Sequence, residues 1–235
     1  MADSTKSPHT LAIDIGGTGL KMMTLGPNGE PLNERHRQHT PEVPTPGAVL
    51  AVLETMIASQ PEFDRVSVGF PGVVHSGVTE TAVNLHPDWR DYDLAASLER
   101  LTGKPTHVAN DADVQGLAVI ESVGVELVIT LGTGIGSALY VNGQSVSNLE
   151  LAHHPFRKDK TYEQCLGNAA LQSQGKTKWN RRLEQAIALL DRTINYRMLY
   201  LGGGNTKKIK IELPTNVQMV PNVAGLLGGI RLWKT

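Results

Sequence analysis

A chain of 235 residues can bury a large core as one big domain or two small ones, and with 40% hydrophobic but only 5% aromatic residues that core is mainly aliphatic. The lone cysteine, Cys165, excludes an internal disulfide framework and any cysteine-based zinc cluster, and neither the opening MADSTKSPHT nor any later run has the apolar length of a secretory signal or membrane span, so a cytoplasmic protein is expected. The net charge of -1 hides an asymmetry, with 15 acids against 8 bases in residues 1–114 and 8 acids against 14 bases in residues 115–235.

The first elements read as strands. "LAIDIGGTGLKMMTLGPNGE", residues 11–30, runs through an apolar strand at 11–15, a glycine turn and a second strand at 20–25, then a Gly-Pro-Asn-Gly turn. "NERHRQHT" continues it as a third, polar strand. A helix follows from about 47 to 59, its face formed by Val49, Val52, Leu53, Met56 and Ile57. "RVSVGF" alternates into a strand that stops at Pro71-Gly72. "DLAASLERLTG" is a short helix with Asp93 as N-cap and Gly103 at its end. "PTHVAN" is a strand, and "DADVQGLAVIES" starts a helix.

"ELVITLGTGIGSALYVNGQSV", residues 126–146, repeats the opening pattern: strand, Gly-Thr-Gly turn, strand, Asn-Gly turn. Two copies so far apart imply two similar lobes rather than a solenoid. Residues 160–195 are mostly helical, "YRMLYLGGGN" and "NVQMVPN" add strands, and "VAGLLGGIRLW" is a closing small-residue helix over about 222–233. The expected lobes are 8–112 and 113–235, with the last helix packing back on the first. Two motifs are rejected. "QGKT" at 174–177 lacks the P-loop's earlier glycine, since position 170 is Ala170, and "GTGIG" is followed by a strand where a dinucleotide fingerprint needs a helix.

Three glycine turns thus stand at strand ends: Gly16-Gly17-Thr18-Gly19, Gly132-Thr133-Gly134-Ile135-Gly136 and Gly202-Gly203-Gly204-Asn205. Glycine allows close backbone approach, and successive N–H groups make a concave anion site. Two lobes that each offer such a hairpin would clamp a nucleotide or phosphate chain in a cleft between them. Phosphoryl transfer to a hydroxyl also needs a base and a metal partner. In "VANDADVQG", Asp111 can take the hydroxyl proton and Asn110 can hold a neighbouring hydroxyl; equally, Asp111 or Asp113 can simply cap the helix. Asp14 suits magnesium, directly or through water, because one carboxylate plus phosphate oxygens fits that ion. Within 155–182, Arg157, Lys158, Lys160, Lys176, Lys178, Arg181 and Arg182 face only Asp159 and Glu163. They form either a solvated helical face plus a loop or a surface that meets a polyanion.

"DIGGTGLK", "GFPGVV", "NDAD", "TLGTGIGSAL", "LELAHH" and "LYLGGGN", in this order, resemble the ROK-family sugar kinases over nearly the whole chain. The likeness is greatest to the polyphosphate glucokinase branch, which moves phosphate from polyphosphate or ATP to the 6-hydroxyl of glucose. The resemblance implies an α/β, two-lobed actin/hexokinase-like (ribonuclease H-like) fold with duplicated β-hairpin lobes and a central cleft. It implies Asp111 as catalytic base and a sugar site of Asn110, Glu150, His153 and Glu163, with Gly72 and Asn84 as lesser lining residues. Asp14, Gly16, Gly17, Thr18, Lys21, Gly132, Thr133, Gly134, Gly203 and Gly204 fall on the phosphate and nucleotide side. Ala152 replaces the glycine of the family's E-x-G-H motif, and the family's cysteine-rich zinc run is absent, so no zinc is expected. Expected ligands are a hexose, Mg2+, and ATP or inorganic polyphosphate; a homodimer without nucleic-acid or membrane partners is the expected assembly. The alternatives are a non-catalytic sugar-binding or regulatory protein and an ATP-only kinase for mannose or an N-acetylhexosamine. Polyphosphate use follows from the basic residues of 155–182 together with Lys207, Lys208 and Lys210, which could form a track for a long polyanion.

Overall fold

The computed structural model describes residues 7–82, 85–220 and 224–234. The chain forms two compact units, Met1–Ala118 with Val223–Thr235, and Val119–Asn222. In the first unit the elements are β1 (Thr10–Ile15), β2 (Leu20–Leu25), β3 (His36–Gln38), α1 (Pro46–Ile57) and β4 (Arg65–Phe70), then β5 (Val74–His75), β6 (Val78–Thr79), β7 (Tyr92–Asp93), α2 (Leu94–Thr102), β8 (Thr106–Asn110) and α3 (Asp111–Leu117). Its main sheet has the order β3-β2-β1-β4-β8, while β5, β6 and β7 form a small second sheet.

β1 is buried along its whole length because both faces are covered. Leu11, Ile13 and Ile15 meet Val49, Leu53 and Met56 of α1 and Leu94 and Leu98 of α2. Ala12, on the other side, clusters with Met23, Leu25 and Leu226. Local chemistry fixes the helix ends. Thr45 caps α1, whose first residue is Pro46, and Asp93 caps α2 by accepting a hydrogen bond from the Ala96 amide, 2.9 Å away. Gly103 then closes α2 at φ 68.

The second unit holds β9 (Val125–Leu131), β10 (Ile135–Val141), β11 (Gln144–Val146), β12 (Pro155–Arg157), β13 (Lys160–Thr161), α4 (Tyr162–Leu166), α5 (Asn168–Gln174), α6 (Lys176–Ile194), β14 (Met198–Gly202) and β15 (Val217–Met219). Its sheet order, β11-β10-β9-β14-β15, copies the first unit's. In each sheet the first two long strands pair antiparallel and the next pairs parallel to the first. The duplicated hairpins expected from residues 11–30 and 126–146 are therefore both present. α6 buries Trp179, Leu183, Ala186, Ile187 and Leu190, a helical stripe that covers the sheet's apolar side.

The two Asn-Gly turns are not equivalent. Asn142 and Gly143 both have positive φ, as a two-residue hairpin turn requires. After β2 only Gly29 does, and the Glu30 carboxylate instead accepts from the Asn28 amide. The basic stretch, expected as either a helical face plus a loop or a surface for a polyanion, is divided between two elements. Arg157 and Lys160 lie on the β12–β13 hairpin, whose turn residues Lys158 and Asp159 are left-handed, whereas Lys176, Lys178, Arg181 and Arg182 lie on α6.

The chain leaves the first unit after α3, at 118/119, so α3 stays whole beside β8, and residues from 223 onward belong to the first unit again. There, α7 (Ala224–Leu227) lasts one turn and gives way to a 3-10 segment, Gly228–Trp233. Two consecutive glycines weaken an α-helix, and packing explains them. A methyl group on Gly228 would lie 1.7 Å from the Val114 carbonyl oxygen, and one on Gly229 would lie 3.0 Å from Ser67 Cβ. Ser67 donates to the Gly229 carbonyl at 2.6 Å, and the Trp233 indole donates to Ser67 at 2.9 Å while stacking on His107.

Candidate active site

In the first unit the site residues gather at the ends of β1 and β8. Asp14 lies opposite Lys21 in the β1–β2 register, and the Lys21 ammonium sits 2.6 Å from Asp14 Oδ2. The turn between them is closed by the Gly16 amide donating to the Gly19 carbonyl at 3.1 Å. Gly17 and Thr18 are exposed at its tip. Across β4, Asp14 is registered with Gly69, and a methyl group on Gly69 would lie 3.4 Å from Asp111 Cα. A glycine there lets the start of α3 approach the sheet.

Asn110 is the N-cap of α3: its Oδ1 accepts from the Ala112 amide at 2.9 Å. Its Nδ2 donates to the Gly72 carbonyl at 3.0 Å, which ties together two expected sugar-site residues. Asp111 and Asp113 therefore belong to the first turn and are not the cap. Asn110 is buried, and Asp111 is half-buried. Asn84 lies outside the described residues.

In the second unit, Glu150, His153 and Glu163 come together beside the Gly132–Gly136 turn. Glu150 precedes the 3-10 turn Leu151–His153, and its Oε2 is 3.5 Å from His153 Nε2. Glu163 stands in the first turn of α4, where Thr161 and Gln164 form a reciprocal cap. Its Oε2 accepts from the Ile135 amide at 3.2 Å, and a methyl group on Gly134 would lie 2.3 Å from that oxygen. Gly134 is thus required for the carboxylate to reach the turn. Burial pushes the Glu150 carboxyl above its ordinary pKa; His153 opposes this and the negative Glu163 adds to it. Ala152, at the motif's glycine position, is buried in the apolar core of this unit.

The third turn is bonded to the second. The Asn205 amide donates to the Leu131 carbonyl at 2.9 Å, and its Nδ2 donates to the Gly132 carbonyl at 3.0 Å. Gly203 has φ +88, and a methyl group there would lie 2.4 Å from the Leu131 oxygen, so only glycine fits. Gly204 is exposed beside it. Asn205 went unassigned in the sequence reading; the only sign of it was an amide directly after three glycines. Thr40 was missed as well. Its hydroxyl donates to the Gly16 carbonyl at 2.5 Å and holds the first turn from beyond β3.

Among the described residues no group of three or more His, Cys, Asp or Glu side chains is arranged as a metal site, and no helix is long and apolar enough to cross a membrane. The lone carboxylate of Asp14 is a hard oxygen donor of the kind that binds magnesium in company with phosphate oxygens.

Residues 10–153 match the ROK family. A polyphosphate glucokinase of Mycobacterium tuberculosis (strain CDC 1551 / Oshkosh) is 28% identical over 242 residues, covering 96% of this chain and 91% of that one. An N-acetylmannosamine kinase of Escherichia coli O1:K1 / APEC is 31% identical over 142 residues, covering 57% of this chain and 48% of that one. The crystal structure of an inorganic polyphosphate/ATP-glucomannokinase from Arthrobacter sp. strain KM matches with a TM-score of 0.83 and 31% identity, over 95% of this chain and 97% of that one. The chain belongs to the ROK family, as one of its sugar kinases with the actin/hexokinase-like α/β fold.

Proposed function

We propose that this sugar kinase transfers a phosphoryl group from inorganic polyphosphate, alongside ATP, to the 6-hydroxyl of glucose, with Asp111 as general base. The observation that carries the reading is the cap of α3. Asn110 performs it, so the neighbouring carboxylate is not used for that purpose. Asp111 accepts the proton as the hydroxyl oxygen attacks the donor's terminal phosphorus; the bond from that phosphorus to the leaving phosphate oxygen breaks. Asn110, Glu150, His153 and Glu163 hold sugar hydroxyls, with Gly72 and Asn84 lining the pocket. The three glycine turns receive the donor through backbone N–H groups. Magnesium at Asp14, direct or through water, would offset donor charge. The activities named for the mycobacterial and Arthrobacter relatives support glucose and polyphosphate. The shorter match to an N-acetylmannosamine kinase favours, as the second reading, a kinase for another hexose.

Glu150 gives this reading a pH signature. A raised carboxyl pKa favours the neutral form, so Glu150 contributes stability at low pH that is lost as pH rises through the raised value. Sugar binding by the carboxylate has the opposite sense. The kcat/KM for glucose should fall on acidification with an apparent pKa above the ordinary glutamate value of about 4.3. Glu150→Gln should remove that limb; an unchanged limb in the variant would assign it to another group.

The donor is tested by KM for ATP and for polyphosphate at low and high salt. A long polyanion on a basic track releases counterions on leaving solution, so its KM should climb steeply with salt while that for ATP climbs less. Lys176, Lys178 and Arg181 are exposed and Arg182 is half-buried on α6. Neutralising these four should flatten the polyphosphate slope. Equal use of polyphosphate by parent and variant would make the cluster a solvated helix face, and no turnover with polyphosphate would leave an ATP-dependent kinase.

A further inference from the structure

The first glycine turn carries a cation that the reading above does not use. β3 pairs with β2 so that Arg37 lies opposite Lys21, just as Lys21 lies opposite Asp14 on β1. Directly paired residues of neighbouring strands project from the same sheet face, so Asp14, Lys21 and Arg37 form one row across three strands. The row ends over the turn. A methyl group on Gly19 would lie 3.1 Å from Arg37 Nε and 3.4 Å from its Nη2. A side chain at Gly19 would make the guanidinium shift by a few tenths of an ångström, so the glycine lets it lie close to the turn.

Charge along the row is unequal. Lys21 is 2.6 Å from Asp14, so this pair is close to neutral. Among the described residues, no carboxylate lies within ion-pair distance of Arg37. The uncompensated positive charge at the turn is therefore a planar fork of N–H donors, suited to phosphate oxygens. An exposed arginine is commonly just a solvated charge. Here the register and the Thr40 bond to Gly16 fix β3 and the chain after it against the turn, and Gly19 leaves room for the guanidinium beside it.

We propose that Arg37 is a donor-binding residue whose guanidinium, lying close to Gly19, grips the terminal phosphates of polyphosphate or ATP at the first glycine turn. This deepens the kinase reading and rests on it for the identity of the donor. The guanidinium acts by pairing with phosphate oxygens; it takes no proton and is not the base.

The test uses the full chain with tripolyphosphate as probe, in calorimetric titrations of the parent, Arg37→Gln and Arg37→Lys. Loss of a charge-assisted pair of hydrogen bonds should weaken tripolyphosphate binding by about tenfold or more in Arg37→Gln. Arg37→Lys, which keeps the charge and loses the fork, should fall between. Glucose affinity and the thermal midpoint should be unchanged, because the side chain is exposed. Equal binding by parent and Arg37→Gln, parallel loss of glucose affinity, or no binding of tripolyphosphate by the parent would each overturn the proposal. Turnover separates it from the kinase reading. A parent that phosphorylates glucose while Arg37→Gln binds tripolyphosphate normally removes Arg37 and keeps the kinase. A parent that binds tripolyphosphate through Arg37 but phosphorylates no hexose keeps the phosphate site and removes the kinase reading.

Discussion

Asp111→Asn is expected to lower kcat for glucose phosphorylation by about 10²–10⁴-fold, the usual cost of losing one general base, with glucose affinity close to that of the parent. The substitution keeps size and shape while removing the carboxylate's charge and its ability to take a proton at this position. It should also leave the fold intact. The cap of α3 belongs to Asn110, which keeps its bonds to the Ala112 amide and the Gly72 carbonyl. The approach of α3 to β4 depends on Gly69, which the variant also retains. The measurement pairs steady-state kcat with calorimetric glucose titration. Near-parent kcat would place the base elsewhere; equal loss of binding and turnover would mean that Asp111 positions sugar or structure instead.

The second large effect concerns stability. Glu126 is fully buried at the start of β9, the strand that ends in the Gly132 turn. Its carboxylate accepts from the Glu121 amide at 2.8 Å, the Val123 amide at 3.1 Å and the Tyr200 hydroxyl at 2.9 Å, and Arg197 lies 3.4 Å away. Burial, with help from this carboxylate, pushes the Tyr200 phenol up to about 12. Glu126→Ala leaves two amides and a buried hydroxyl without their acceptor, which should cost about 3–5 kcal/mol. Denaturant unfolding of the full chain should show the transition of the second unit moved to lower denaturant. An unmoved transition would mean that water replaces the carboxylate without loss. Glu126→Gln, which keeps an acceptor oxygen, should cost less.

What could be read from the residues alone was whatever rests on local chemistry. Glycine turns after apolar strands, the Asp93 cap and the left-handed Gly103 depend on a few neighbouring residues, and all were legible. The duplicated sheets were legible because the hairpin pattern occurs twice. What depended on distant partners was not. Glu126 looks like an ordinary strand-edge charge in "ELVITL" until Tyr200 and Arg197 are folded against it. Asp111 or Asp113 was the expected alternative as cap, whereas the cap is Asn110; spacing could not show this, since Asn and Asp both cap helices well. Arg37 and Thr40 sit in a short polar stretch whose meaning appears only with its register on β2. Glu163 was expected from the family resemblance as a further sugar-contacting residue, but its bond to the Ile135 amide needed the fold.

The central claim is tested most directly by phosphorus NMR of the full chain incubated with glucose, magnesium and either ATP or polyphosphate. The account predicts a growing glucose 6-phosphate resonance matched by loss of terminal phosphate from the donor. A donor that stays intact, or that releases only inorganic phosphate while glucose remains unmodified, would contradict it.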